Sequence, residues 1–185
     1  MIDDVFASAE DRMKKSIHAE ERELASIRTG RASPALVENI QVEYYGTPTP
    51  MSQVATIKIP DARLLVIEPW DRGVLSGIEK AIQKSDLGLT PNNDGQVIRL
   101  AFPQLTQERR QDLVKVVHKR VEEGKVALRN IRRDAHDELR AMEKRKELSE
   151  DEQRRATDQL QKLVDRYIQQ IEQVGKAKES ELMEI

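Results

Sequence analysis

The chain has no cysteine, which excludes disulfides, thiolate nucleophiles and cysteine-ligated metal together. Aromatic residues make up only 3% of its 185 residues, too few for platforms that read single-stranded nucleic acid by stacking on its bases. No apolar run approaches the roughly 18 residues needed to cross a bilayer. The start, Met1-Ile2-Asp3-Asp4-Val5, is acidic and already amphipathic, unlike a signal peptide. A cytoplasmic protein without membrane contact is the expectation. Charge of one sign is also missing overall: the formal net charge is −2, so attraction to nucleic acid has to come from local clustering.

Catalytic patterns are absent as well. Gly124-Lys125 and Gly175-Lys176 lack the preceding glycine and the following Ser or Thr that complete a phosphate loop. His18, His118 and His136 are too scattered to share a metal and fall on expected exposed helix faces. No serine sits in a glycine-flanked strained turn. No catalytic residue, metal or cofactor is expected, and the chain reads as a non-enzyme.

Glycine and proline are scarce outside one stretch. Neither occurs from Met1 to Arg28, whereas residues 30–103 hold six of the eight glycines and all seven prolines. This parses as a helix, a turn-rich insert, then further helices. In residues 1–29, Ile2, Phe6, Ala9, Met13, Ile17, Leu24 and Ile27 trace one stripe. Thr106 can cap a second helix with Leu113, Val117, Val121, Leu128, Ile131, Ala135, Leu139 and Met142 on one side. At about 41 residues that helix is about 60 Å long. Gly124 lies on its stripe, where a glycine costs about 1 kcal/mol relative to alanine, so close approach of a neighbouring helix is expected there. Ser149 and Glu152 form a capping box for a third helix. Single-stripe helices leave apolar surface in water unless packed together, so 1–29 and 106–185 are expected to form a three-helix bundle.

The insert, 31–104, is expected to be a small β/α/β domain. Ile40, Val42 and Tyr44 alternate, with Tyr44 and Tyr45 on opposite faces and at least one of them in the core. Gly46-Thr47-Pro48-Thr49-Pro50 then forces a turn. Strands follow at Val54–Ile59, Leu64–Ile67 and Val97–Phe102, with a helix over Val74–Leu87 stopped by Gly88. The chain crosses between domains twice, and the hinge is placed at Thr29, Gly30 and Arg31 and at 103–106, with Gln104 and Leu105 its central residues.

What is plentiful is arginine on the second helix. Residues 106–146 contain thirteen Lys or Arg against eight Asp or Glu, while 1–29 and 149–185 are each net acidic. Lys125, Arg129, Arg132, Arg133, His136 and Arg140 fall within about a 100° arc. Asp134, Asp137, Glu138 and Glu123 point largely away from it. One reading is a solvated face paired with neighbouring acids. The other is contact with RNA, for which arginine's planar fork suits phosphate. Contact of that kind is to backbone and shape rather than to base sequence.

Five segments then carry a resemblance. Ser26-Ile27-Arg28-Thr29-Gly30-Arg31-Ala32-Ser33-Pro34, Glu43-Tyr44-Tyr45-Gly46-Thr47-Pro48-Thr49-Pro50, Ser85-Asp86-Leu87-Gly88-Leu89-Thr90-Pro91-Asn92, Leu105-Thr106-Gln107-Glu108-Arg109-Arg110 and Arg129-Asn130-Ile131-Arg132-Arg133-Asp134-Ala135 occur in order. Together they resemble the ribosome recycling factor family along essentially the whole chain. The resemblance implies an α+β, L-shaped molecule: an elongated three-helix bundle with a β/α/β domain inserted between helix 1 and helix 2, joined by a flexible hinge. It implies a monomer that binds the post-termination ribosome through large-subunit ribosomal RNA. With elongation factor G and GTP hydrolysis by that partner, such a factor separates the subunits. It also implies RNA contact at Arg129, Arg132 and Arg133, foremost Arg132, with Lys125 beside them on the ridge. Arg28 and Arg31, which flank the hinge, match positions for RNA contact or for a structural role, and Arg109 and Arg110 match at the start of the second helix. A helical adaptor that binds proteins, with the ridge as a solubilising face, is the competing reading; it predicts binding insensitive to salt and to loss of Arg132.

Overall fold

In a computed structural model, residues 1–184 are described. The chain divides into two compact units: Met1–Leu24 with everything from Gln111 onward, and Ala25–Arg110. Among the described residues, no helix is long and apolar enough to cross a membrane.

The first unit is three long helices: α1 (Ile2–Ala25), α3 (Gln107–Lys144), of which all but the first turn belongs to this unit, and α4 (Glu150–Met183). Their stripes meet in a core of Met13, Ile17, Leu128, Leu139, Leu160, Val164 and Ile171. The ends are set by side chains. Thr106 accepts from the Arg109 amide at 3.1 Å. Ser149 accepts from the Glu152 amide at 3.1 Å while the Glu152 carboxylate accepts from the Ser149 amide at 2.7 Å, a reciprocal capping box. The bond from the Ser149 amide, helped by the Ser149 side chain, holds the Glu152 carboxyl below its ordinary range.

Two glycines let α3 and α4 approach. A Cβ on Gly124 would lie 2.0 Å from Ile171 Cδ1, and one on Gly175 2.5 Å from Val121 Cγ2. Each helix thus offers a glycine hole to a branched knob of the other, which offsets the propensity lost at both positions.

One carboxylate in this unit is poorly placed. Glu20 Oε2 is buried without a hydrogen-bond partner. Burial raises its pKa, the nearby Arg120 opposes this, and Glu123 and Glu23 add to it. A carboxyl whose folded pKa is raised binds its proton more tightly in the folded state, so its contribution is lost as pH rises through that pKa. Glu20→Gln is therefore expected to raise Tm at pH 7 by about 2 °C, with the gap to wild type closing as pH falls into the ordinary carboxylate range. Thermal melts across that range check it.

The second unit has two sheets. β1 (Gln41–Tyr44) and β2 (Thr47–Pro50) form an antiparallel pair. β3 (Ala55–Asp61), β4 (Leu64–Pro69), β5 (Asn92–Asn93) and β6 (Ile98–Ala101) form a sheet of order β3-β4-β6-β5. Helix α2 (Leu75–Lys84) buries Ile78 and Ile82 in a core with Val42, Met51, Leu65, Ile67, Ile98 and Leu100.

Three expectations need correction here. Thr47–Pro50 is a strand rather than only a turn; the reversal is confined to Tyr45 and Gly46, both at positive φ. Pro48 and Pro50 oppose Glu43 and Gln41, and their period-two spacing lets both missing N–H groups face away from the partner strand. Tyr44 and Tyr45 are both exposed, at 38% and 73%, because Val42 and Met51 fill the core beneath. The Tyr45 hydroxyl instead donates to Asp71. Finally, α2 stops at Lys84, before Gly88: Ser85 Oγ donates to the Ile82 carbonyl at 2.6 Å, and Gly88, at φ +64°, reverses the chain afterwards.

Candidate functional site

The arginine-rich segment of α3 is sorted by its two neighbours. On one edge Asp134 accepts from Arg12 of α1 at 2.9 Å, which turns that carboxylate away from the arginines. On the other edge, Arg132, Arg133 and His136 from α3 and Thr157, Leu160 and Gln161 from α4 line a pocket of about 300 Å³. The period of the helix causes this: Ile131 and Ala135 are buried, so Arg132 and His136, one residue on, fall at the rim beside α4.

Arg132 is half-buried and donates to Gln161 Oε1 at 2.8 Å. Arg129, Arg133 and Arg140 are exposed, and none is ion-paired with a carboxylate among the described residues. His136 is 3.9 Å from Asp137. Three guanidinium groups standing in solvent beside a fourth that is held in place form a surface on which phosphates can be gripped by paired N–H donors.

The other candidates differ. Lys125 is only 16% exposed and lies between Glu122 at 3.3 Å and Glu172 at 2.8 Å. The Glu172 bond is the largest influence raising the Lys125 pKa, and Lys125 in turn holds the Glu172 carboxyl down. Its charge is thereby spent within the bundle. Arg110 is buried, at 7% exposure, while Arg109 is exposed. Arg28 donates to the Asp86 carbonyl at 2.9 Å and covers Gly88, where a Cβ would come within 3.3 Å of its guanidinium. Arg31 is exposed at the surface of the second unit. Gly30, at φ +78°, admits Leu105: a Cβ would meet Leu105 Cγ at 3.2 Å and the Pro103 carbonyl at 3.6 Å. Thr29 is buried beside it, and Gln104 is exposed.

The remaining chemistry is sparse. His18 and His118 lie at the surface, 3.2 Å from Glu21 and Glu179. Among the described residues, no group of three or more His, Cys, Asp or Glu could hold a metal ion. Sequence reasoning missed Gln161 and Thr157, neutral residues on α4 with no pattern of their own. Only the packing of α4 on α3 brings them to the arginines.

The family model described as ribosome recycling factor matches residues 20–183. The ribosome-recycling factors of Halalkalibacterium halodurans and Carboxydothermus hydrogenoformans are 58% and 57% identical over 185 residues, with 100% of each chain covered. A solution structure of a ribosome recycling factor superposes with a TM-score of 0.85 at 45% identity, covering 100% of this chain and 98% of the other. A second match, at TM-score 0.70 and 46% identity with both chains fully covered, is a model of the T. thermophilus ribosome recycling factor with E. coli elongation factor G on the E. coli post-termination complex. Full-length identity above one half, a matching family model and a matching fold, three long helices with a sheet domain inserted in the chain, lead to one conclusion: the chain belongs to the ribosome recycling factor family.

Proposed function

We propose that this chain recycles ribosomes after termination: it docks on the large subunit through the α3 arginines and, with elongation factor G and GTP, separates the subunits. The observation that carries the docking step is the edge of α3 where Arg129, Arg132 and Arg133 meet solvent without carboxylate partners. The partner reading draws on the similar protein that is described on a post-termination complex together with elongation factor G.

The work divides between the two units. The bundle is a rigid rod, its longest helix 38 residues and about 57 Å long. Docked on RNA phosphate at one edge, it is the anchor. The second unit is the part on which elongation factor G acts, and Thr29, Gly30, Arg31, Gln104 and Leu105 are the hinge, where Gly30 seats Leu105 and couples the two crossing strands. The factor breaks no bond; the free energy comes from the partner's nucleotide. It acts as a cytoplasmic monomer. Within this reading Arg132, Arg129 and Arg133 bind RNA and Arg31 and Arg109 assist, while Lys125, Arg28 and Arg110 serve the fold.

Light scattering of terminated ribosomes tests the function. With elongation factor G and GTP, the factor is expected to drive conversion of whole ribosomes to subunits, and either protein alone is expected to leave them intact. Binding without any subunit separation under these conditions would contradict the reading.

A further inference from the structure

The side chain nearest the docking arginine from another helix is an uncharged amide, and its two bonds define a chain. Arg132 donates to Gln161 Oε1 at 2.8 Å. Gln161 Nε2 donates to Asp165 Oδ1 at 2.9 Å. A guanidinium has only donors and an ionised carboxylate only acceptors, so the group joining them has to accept at one end and donate at the other. Glutamine does this and glutamate does not. The carboxylate also determines which way the amide faces, since a reversed amide would turn its NH2 towards the guanidinium.

We infer that Gln161, held by Asp165, is a positioning residue for RNA binding that fixes the Arg132 guanidinium in its docking orientation. This rests on the assignment of Arg132 as an RNA anchor. Arginine carries a large rotamer entropy, and a side chain already held in its bound orientation loses less of it on binding. One Nη is committed to Gln161, which leaves the other N–H donors of the fork for phosphate. Leu160, 1% exposed, lines the same pocket. Arg129 and Arg133 are exposed and have no comparable brace among the described residues.

Asp165 separates this account from simple electrostatics. It is an exposed carboxylate on the α4 side of the arginines. If charge alone matters, removing it strengthens binding to a polyanion. If it orients Gln161, its removal weakens binding, unless the replacement still accepts the amide hydrogen bond.

Sedimentation with purified large ribosomal subunits at one salt concentration tests the inference on full-length variants, with thermal melts confirming that each is folded. Gln161→Leu is expected to weaken binding about fivefold to tenfold, the order of one lost hydrogen bond to a charged group. In an Arg132→Ala background the same change is expected to have no further effect. Asp165→Ala is expected to weaken binding about threefold, whereas Asp165→Asn retains wild-type affinity or exceeds it. The inference is overturned if Arg132→Ala weakens binding and Gln161→Leu does not. It is equally overturned if Gln161→Leu costs the same with and without Arg132, because Gln161 then touches RNA itself, or if Asp165→Ala tightens binding. Wild-type binding by Arg132→Ala is a different failure: it removes the anchor on which the inference rests.

Discussion

Arg132→Ala is expected to weaken binding to large ribosomal subunits by about 30-fold while leaving the melting temperature within about 2 °C of wild type. The asymmetry follows from what the side chain touches. Within the protein it makes one hydrogen bond, to the neutral Gln161, at a site open to water, and the bundle loses little when that bond goes. Against RNA, on the proposed reading, it would supply a charge-assisted, paired set of donors. Arg132→Lys keeps the charge and loses the fork, and is expected to recover only part of the affinity. Lys125→Ala should behave in the opposite way. It removes the partner of Glu122 and Glu172, so its effect is on the bundle, with RNA affinity changed less than threefold. A filter or sedimentation titration run beside a melt separates the two classes.

The second large effect is in the core. Gly124→Ala is expected to lower stability by about 2 kcal/mol, or about 4–8 °C in Tm, even though alanine is the better helix former by about 1 kcal/mol. The added methyl group falls 2.0 Å from Ile171 Cδ1, and Ile171 is itself 1% exposed, so its end has nowhere free to go. Shortening the knob resolves the conflict. With Ile171→Val the offending atom is removed; the nearest atoms left are Glu20 Cγ at 3.2 Å, on a flexible side chain that has to give by a few tenths of an ångström, and Ile171 Cγ1 at 3.4 Å. Ile171→Val alone costs about 1 kcal/mol, yet in the Gly124→Ala background it is expected to restore the melting temperature to near wild type. Such a change of sign between backgrounds is the signature of two residues sharing one space. If the two changes simply add, the α3–α4 packing described above is incorrect.

Much of this was legible in the sequence because helical periodicity is a strong signal over long spans. The stripes of α1, α3 and α4, the Ser149–Glu152 box and the close approach at Gly124 are each written into local spacing. The arginine cluster was legible too, since angular position along one helix follows from residue number. What depends on a second element was not. Lys125 shares the arc of Arg129 and Arg132, yet Glu172 on α4 neutralises it, and no local pattern predicts that partner. Gln161 was invisible for the same reason: its role arises where two helices meet. In the second unit, prolines hid β2, because Pro in a run argues for a turn unless the strand has a free edge on which its missing N–H does no harm. Tyr44 and Tyr45 misled because aromatic residues in a short hairpin are expected to supply core, whereas here Val42 and Met51 already fill it.

The proposed grip of the α3 arginine edge on ribosomal RNA is through phosphate. It is tested most directly by binding of wild type and of Arg129→Ala/Arg132→Ala/Arg133→Ala to large subunits across about 50 to 200 mM salt. Each phosphate neutralised contributes about one to the slope of log affinity against log salt. A steep fall is expected for wild type, with a slope shallower by about two to three in the triple variant, whose affinity is also far lower at about 50 mM. Equal slopes and equal affinities in the two proteins would contradict it.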